Sequence, residues 1–151
     1  MTANTIALKA VISGSYRRHF AEMLALKAAL EAERVSVLAP VSETIINPTD
    51  EFVLLDLDPT TDPRTLQDSI FAMIRHSTFI VVANIDGYLG AAATMEIGYA
   101  IAQGVQVLTQ EPVSDPNLAG YTRPIHEVFP LLPTRYSATL AGFKENHEAV
   151  A

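Results

Sequence analysis

Three short stretches hold the residues best equipped for chemistry. Glu96 stands in Ala91-Ala92-Ala93-Thr94-Met95-Glu96-Ile97-Gly98-Tyr99-Ala100, among small residues that let a ligand or a second element come close to the backbone. Near the start of a helix a carboxylate is favoured in its ionised form, and an ionised carboxylate is a nucleophile. Gly14-Ser15-Tyr16-Arg17 joins the N–H groups of a helix start to a hydroxyl and a guanidinium, which together form a cradle for an anion or for sugar hydroxyls. Asp86-Gly87-Tyr88-Leu89-Gly90 adds a second carboxylate, a turn and a ring that can stack on a flat ligand. Each stretch also has a plainer reading: a solvated glutamate, an ordinary strand-to-helix turn, and a tyrosine packed beside its own loop.

Other polar residues carry weaker signals. Asp68 falls off the Leu66–Ile70–Met73 stripe and reads as a solvated helix residue, and Asp56 and Asp58 are loop carboxylates. His19, His76, His126 and His147 show neither metal-ligand spacing nor a Ser-His-Asp arrangement. With no cysteine, thiolate catalysis and Cys-ligated metal are excluded. No metal and no cofactor is expected. Gly14-Ser15-Tyr16-Arg17 is neither a P-loop nor a Gly-x-Gly-x-x-Gly fingerprint, which counts against NTP hydrolysis and dinucleotide binding.

The elements that must position these residues can be read from hydrophobic spacing. Ile6 to Ile12 and Val35 to Ala39 read as strands, separated by a helix whose stripe is Phe20, Met23, Leu26 and Leu30. Such a unit crosses over right-handed. Val41 to Asp62 is less regular; its Phe52–Leu55 reads as a short extra strand or an apolar loop over the site, and long loops in compact domains are often lids. Asp62-Pro63 reads as an N-cap with proline in the first turn, opening a helix with Leu66, Ile70, Met73 and Ile74 on its buried side. Thr78 to Ala83 is a β-branched apolar run typical of a strand covered on both faces. The Glu96 helix follows and ends at Gln103-Gly104. Val105 to Thr109 is another strand, Tyr121 to Phe129 holds a short helix, and the polar end from Phe143 reads as loose. The expected fold is one α/β domain over residues 1–151, a doubly wound, flavodoxin-like parallel sheet of four or five strands flanked by helices. Ligands bind such sheets at the carboxyl ends of the strands, where all three stretches fall.

Bulk composition narrows the partners. The 151 residues are 49% hydrophobic and 18% charged, which suits a packed domain. Ten basic and seventeen acidic residues give −7, a balance unsuited to a nucleic acid polymer. No apolar run approaches the ~20 residues of a bilayer span, so no membrane partner is expected. The opening Met1-Thr2-Ala3-Asn4-Thr5 has no signal-peptide pattern, so the expected compartment is the cytoplasm.

With these pieces in place, the chain resembles the nucleoside 2-deoxyribosyltransferase superfamily over about Ala10 to Thr109. The marks are Ile12-Ser13-Gly14-Ser15-Tyr16-Arg17, Val81-Val82-Ala83-Asn84 with Asp86 to Gly90, and Glu96-Ile97-Gly98-Tyr99-Ala100. Asn47-Pro48 with Glu51-Phe52, together with Asp86-Gly87-Tyr88-Leu89-Gly90, is similar to a less characterised branch of that family. The resemblance implies that Glu96 is a nucleophile. It implies cleavage or transfer at the N-glycosidic bond of a nucleoside or nucleoside 5′-monophosphate through a covalent glycosyl-glutamate. Asp86 and Asp68 become candidates for handling the base; Gly14, Ser15, Tyr16, Arg17, Gly87, Tyr88, Gly90 and Thr94 become candidates for binding substrate. The Ser15/Arg17 loop resembles the phosphate-contacting loop of the nucleotide N-hydrolase branch. The family's transferases often place an aspartate six positions before the nucleophile, where this chain has Gly90. The resemblance also implies a homo-oligomer, dimer or higher. The alternatives are a non-catalytic nucleotide- or nucleoside-binding module of the same fold, or a flavodoxin-shaped interaction protein.

Overall fold

Strand β1 (Leu8–Ser13) occupies the middle of the molecule because its residues are apolar on both faces. Ala10 and Ile12 face one layer of the core and Val11 the other, all three buried. In the computed structural model, which describes residues 7–132, β1 is followed by helix α1 (Tyr16–Ala32), strand β2 (Val35–Ala39), helix α2 (Pro63–Arg75) and strand β3 (Phe79–Val82). Helix α3 (Ala91–Ala102), strand β4 (Gln106–Thr109), helix α4 (Pro116–Ala119), strand β5 (Thr122–Pro124) and helix α5 (Ile125–Val128) complete the order. The tail from Phe143, read as loose from its composition, lies outside the described residues.

The five strands form one parallel sheet in the order β2-β1-β3-β4-β5. This is the doubly wound, flavodoxin-like arrangement that the alternation of strands and helices predicts. On one face Met23, Leu26 and Leu30 of α1 pack with Ile12, Val81, Leu108 and Ile125 of α5. On the other, Ile74 of α2 and Ile97 and Ala100 of α3 pack with Val11, Ile80 and Val107. The fifth strand comes from Thr122–Pro124, inside the stretch where the sequence suggests only a helix; that helix follows it directly. Pro124 fits because β5 is an edge strand, where a missing N–H costs no ladder bond.

From β1 the chain winds outward to β2 and then returns to β3 on the opposite side. The carboxyl ends of β1 and β3 therefore flank a crevice at the point where the strand order reverses. The loop 14–15, the loop 83–90 and the long connection 40–62 all meet there.

Candidate active site

Glu96 lies at the bottom of the crevice, in the second turn of α3, and only 7% of its surface is exposed. Both carboxylate oxygens are held. The Ser13 hydroxyl at the end of β1 donates to Oε1 at 2.7 Å, and the Gln67 side-chain amide on α2 donates to Oε2 at 2.9 Å. Strand alternation explains Ser13: it follows Val11 on the face covered by α2 and α3. Gln67 shares a helical face with Ile70 and Ile74, three and seven residues on, so the packing of that face carries it inward.

A solvated glutamate is thus ruled out, and Glu96 stands past the first turn of α3. The macrodipole acts within about the first turn. Burial instead pushes the Glu96 carboxyl above its ordinary value, opposed in part by the hydrogen bonds from Gln67 and Ser13.

A cavity of ≈ 600 Å³ opens above Glu96. The first turn of α1 forms one wall through Gly14, Ser15, Tyr16 and Arg17. Ser15 caps α1 by accepting the N–H of Arg18 at 3.2 Å. Gly14 is closely packed: a Cβ there would meet Met23 Sδ at 3.1 Å and Ala83 Cβ at 3.2 Å. Burial, then the negative charges of Glu96 and Asp58, push the Tyr16 hydroxyl above its ordinary range, so it stays protonated and able to donate.

The connection 40–62 is the opposite wall, and it is a stapled structure rather than a strand. Ile45 and Leu55 form a single antiparallel bridge. Asn47 accepts the Leu54 N–H at 2.6 Å and donates to the Phe52 carbonyl at 2.9 Å. Ser42 donates to Asp56 at 2.6 Å, and Asp58 accepts the Leu55 N–H at 2.8 Å. The result presents Phe52, Val53, Leu55 and Asp58 to the cavity.

The third stretch divides. Tyr88 and Gly90 line the cavity, and Gly90 is the N-cap of α3. The Arg18 guanidinium lies 4.1 Å from the Tyr88 ring centroid, so one face of that ring is already taken. Asp86 and Gly87 form an exposed turn with φ of 56° and 79°, away from the cavity wall. The Asp86 N–H donates to the Glu111 carboxylate, while the Asn84 side chain pairs with the Glu111 backbone at 2.8 and 2.9 Å. That turn ties the ends of β3 and β4 together. Thr94 is exposed and donates to the Gly90 carbonyl at 2.9 Å. Asp68 points outward beside Arg64, 3.9 Å away, with both side chains well exposed.

The structure therefore gathers Glu96, Gly14, Ser15, Tyr16, Arg17, Tyr88 and Gly90 around one cavity, and leaves Asp86, Asp68, Gly87 and Thr94 outside it. Sequence reasoning missed the roles of Ser13 and Gln67 and read Asp58 only as a loop carboxylate. The inward faces of β1 and α2 carried a signal for the first two; Asp58 depends on a loop conformation that no periodicity encodes.

Among the described residues, no group of three or more His, Cys, Asp and Glu side chains could hold a metal ion. No described helix is long and apolar enough to cross a membrane. No family model matches the sequence, and no curated protein matches it.

Proposed function

We propose that this protein cleaves or transfers at the N-glycosidic bond of a nucleoside or nucleoside 5′-monophosphate, with Glu96 as nucleophile. The observation that carries the reading is a single buried carboxylate, fixed at both oxygens, at the floor of a nucleoside-sized cavity at the switch point of a parallel sheet. The resemblance of Glu96-Ile97-Gly98-Tyr99-Ala100 to the deoxyribosyltransferase motif supports it. A Glu96 oxygen attacks the anomeric carbon, the C–N bond breaks with its electron pair passing to the base, and a glycosyl ester remains. Water or a second base then attacks the same carbon and frees the Glu96 carboxylate, so configuration is retained over the two steps. Ser13 and Gln67 hold the carboxylate in line, and Tyr16 and Arg17 supply donors for sugar hydroxyls or a 5′-phosphate. We place this activity in a homo-oligomer, on the same resemblance.

A second reading is a nucleotide-binding module without turnover. Two observations favour it: among the described residues no second carboxyl group bonds Glu96, and Gly90 stands where related transferases often carry aspartate. A panel of ribo- and 2′-deoxynucleosides and their 5′-monophosphates, with and without an acceptor base, separates the two. Release or exchange of base by the wild type, lost in Glu96→Ala, supports the enzyme. A nucleotide that raises the melting temperature of both proteins without any turnover supports the binding module.

A further inference from the structure

Breaking an N-glycosidic bond sends an electron pair to the base. A neutral base leaves well only if a positioned acid protonates it, and that help is typically worth 10²–10⁴-fold. The groups that bond Glu96 are a hydroxyl and a carboxamide, neither of which gives up a proton near neutral pH, and both already donate to the carboxylate. Tyr16 holds its proton more tightly than a free phenol. Among the described residues the wall has no histidine or lysine, and its titratable side chains besides Glu96 and the tyrosines are Arg17, Glu51 and Asp58. A guanidinium donates hydrogen bonds but does not hand its proton to a leaving base. Glu51 is exposed at the rim, and Asp58 is turned to the Leu55 N–H.

The wall therefore carries three carboxyl side chains against one guanidinium, with an apolar part made by Phe52, Val53, Ile70, Met73 and Met95. Such a surface suits a flat ring, and the charge balance suits a positive one. We infer that the substrate is an N-glycoside whose leaving group is a cationic heteroaromatic ring, a pyridinium or an N7-alkylated purine, expelled without protonation by the protein. This rests on Glu96 acting at an N-glycosidic bond as proposed above. As the Glu96 oxygen bonds to the anomeric carbon, the pair from the broken C–N bond passes into the ring nitrogen and cancels its charge. A carboxylate and a cation become a neutral ester and a neutral heterocycle, a loss of charge that the desolvation of the buried Glu96 favours. Water then adds to the anomeric carbon, returning the Glu96 carboxylate, the free sugar and one proton to solvent.

The test uses matched pairs that differ by one charge: 7-methylguanosine against guanosine, and nicotinamide riboside against its dihydropyridine form, each also as the 5′-monophosphate. The full chain and Glu96→Gln are assayed by chromatography of the released base, with uncatalysed rates subtracted. The expected result is a kcat/KM at least about 10²-fold higher for the cationic member of each pair, the low end of what a general acid supplies, and lost in Glu96→Gln. Glu96-dependent cleavage of guanosine at a comparable rate overturns this inference and leaves the N-glycosidase reading standing. Absence of Glu96-dependent cleavage of either member, and of every neutral nucleoside in the wider panel, overturns both.

Discussion

As the proposed nucleophile, Glu96 has to be charged to attack carbon, yet it sits where charge is expensive. Burial raises its proton affinity, and the Ser13 and Gln67 hydrogen bonds draw it back down. Activity should therefore fall on the acid side with an apparent pKa above the ordinary glutamate value of 4.5; an acid limb at or below that value would contradict the burial argument. Gln67→Leu removes one of the two donors and keeps an apolar wall. It should move the acid limb to higher pH and lower kcat/KM at neutral pH about tenfold, the equivalent of one charge-assisted hydrogen bond of ~1.5 kcal/mol. A drop in rate with an unmoved pH profile would mean that Gln67 contacts substrate rather than Glu96. Ser13 and Gln67 were overlooked in the sequence because neutral side chains at a strand end and on a helix announce nothing alone. Their meaning comes from the carboxylate they converge on, 83 and 29 residues away.

The site is made where element ends meet, and that is also where the sequence was least legible. Strands and helices followed from periodicity, because burial on one face or both leaves a repeat of two or 3.6 residues. The Asp62 cap and the Gly104 stop were readable from residue type, since capping and positive φ are local requirements. The fold of the connection 40–62 was not, because it depends on side chains such as Asn47 bonding backbone groups five and seven residues away. Asn47→Ala leaves the Leu54 N–H without its partner and should cost about 1–3 kcal/mol locally. The expected outcome is a severalfold higher KM with global stability little changed, measured by steady-state kinetics beside thermal melts; an unchanged KM would remove this wall from the binding site. Gly14→Ala forces a Cβ against Met23 and Ala83, and should lower stability by about 1–3 kcal/mol in a urea titration. A neutral effect there would show that the junction of β1 and α1 is looser than these contacts imply.

At the scale of the molecule, the sheet order β2-β1-β3-β4-β5 sets one crevice, and a carboxylate placed there taxes the whole fold. The folded state raises the Glu96 pKa, so it binds that proton more tightly than the unfolded chain does. The resulting stability is present below the unfolded value of 4.5 and is lost as pH rises through the folded value. Glu96→Gln keeps the shape without the charge. It should therefore match the wild type near pH 4 and exceed it at neutral pH in urea midpoint, the pattern of a site held at a cost in stability. The most direct measurement of the central claim is mass spectrometry of the protein quenched during turnover of a nucleoside. The expected result is a glycosyl adduct on the peptide that contains Glu96, absent from Glu96→Gln. Turnover that persists in Glu96→Gln with no adduct on that peptide would contradict it.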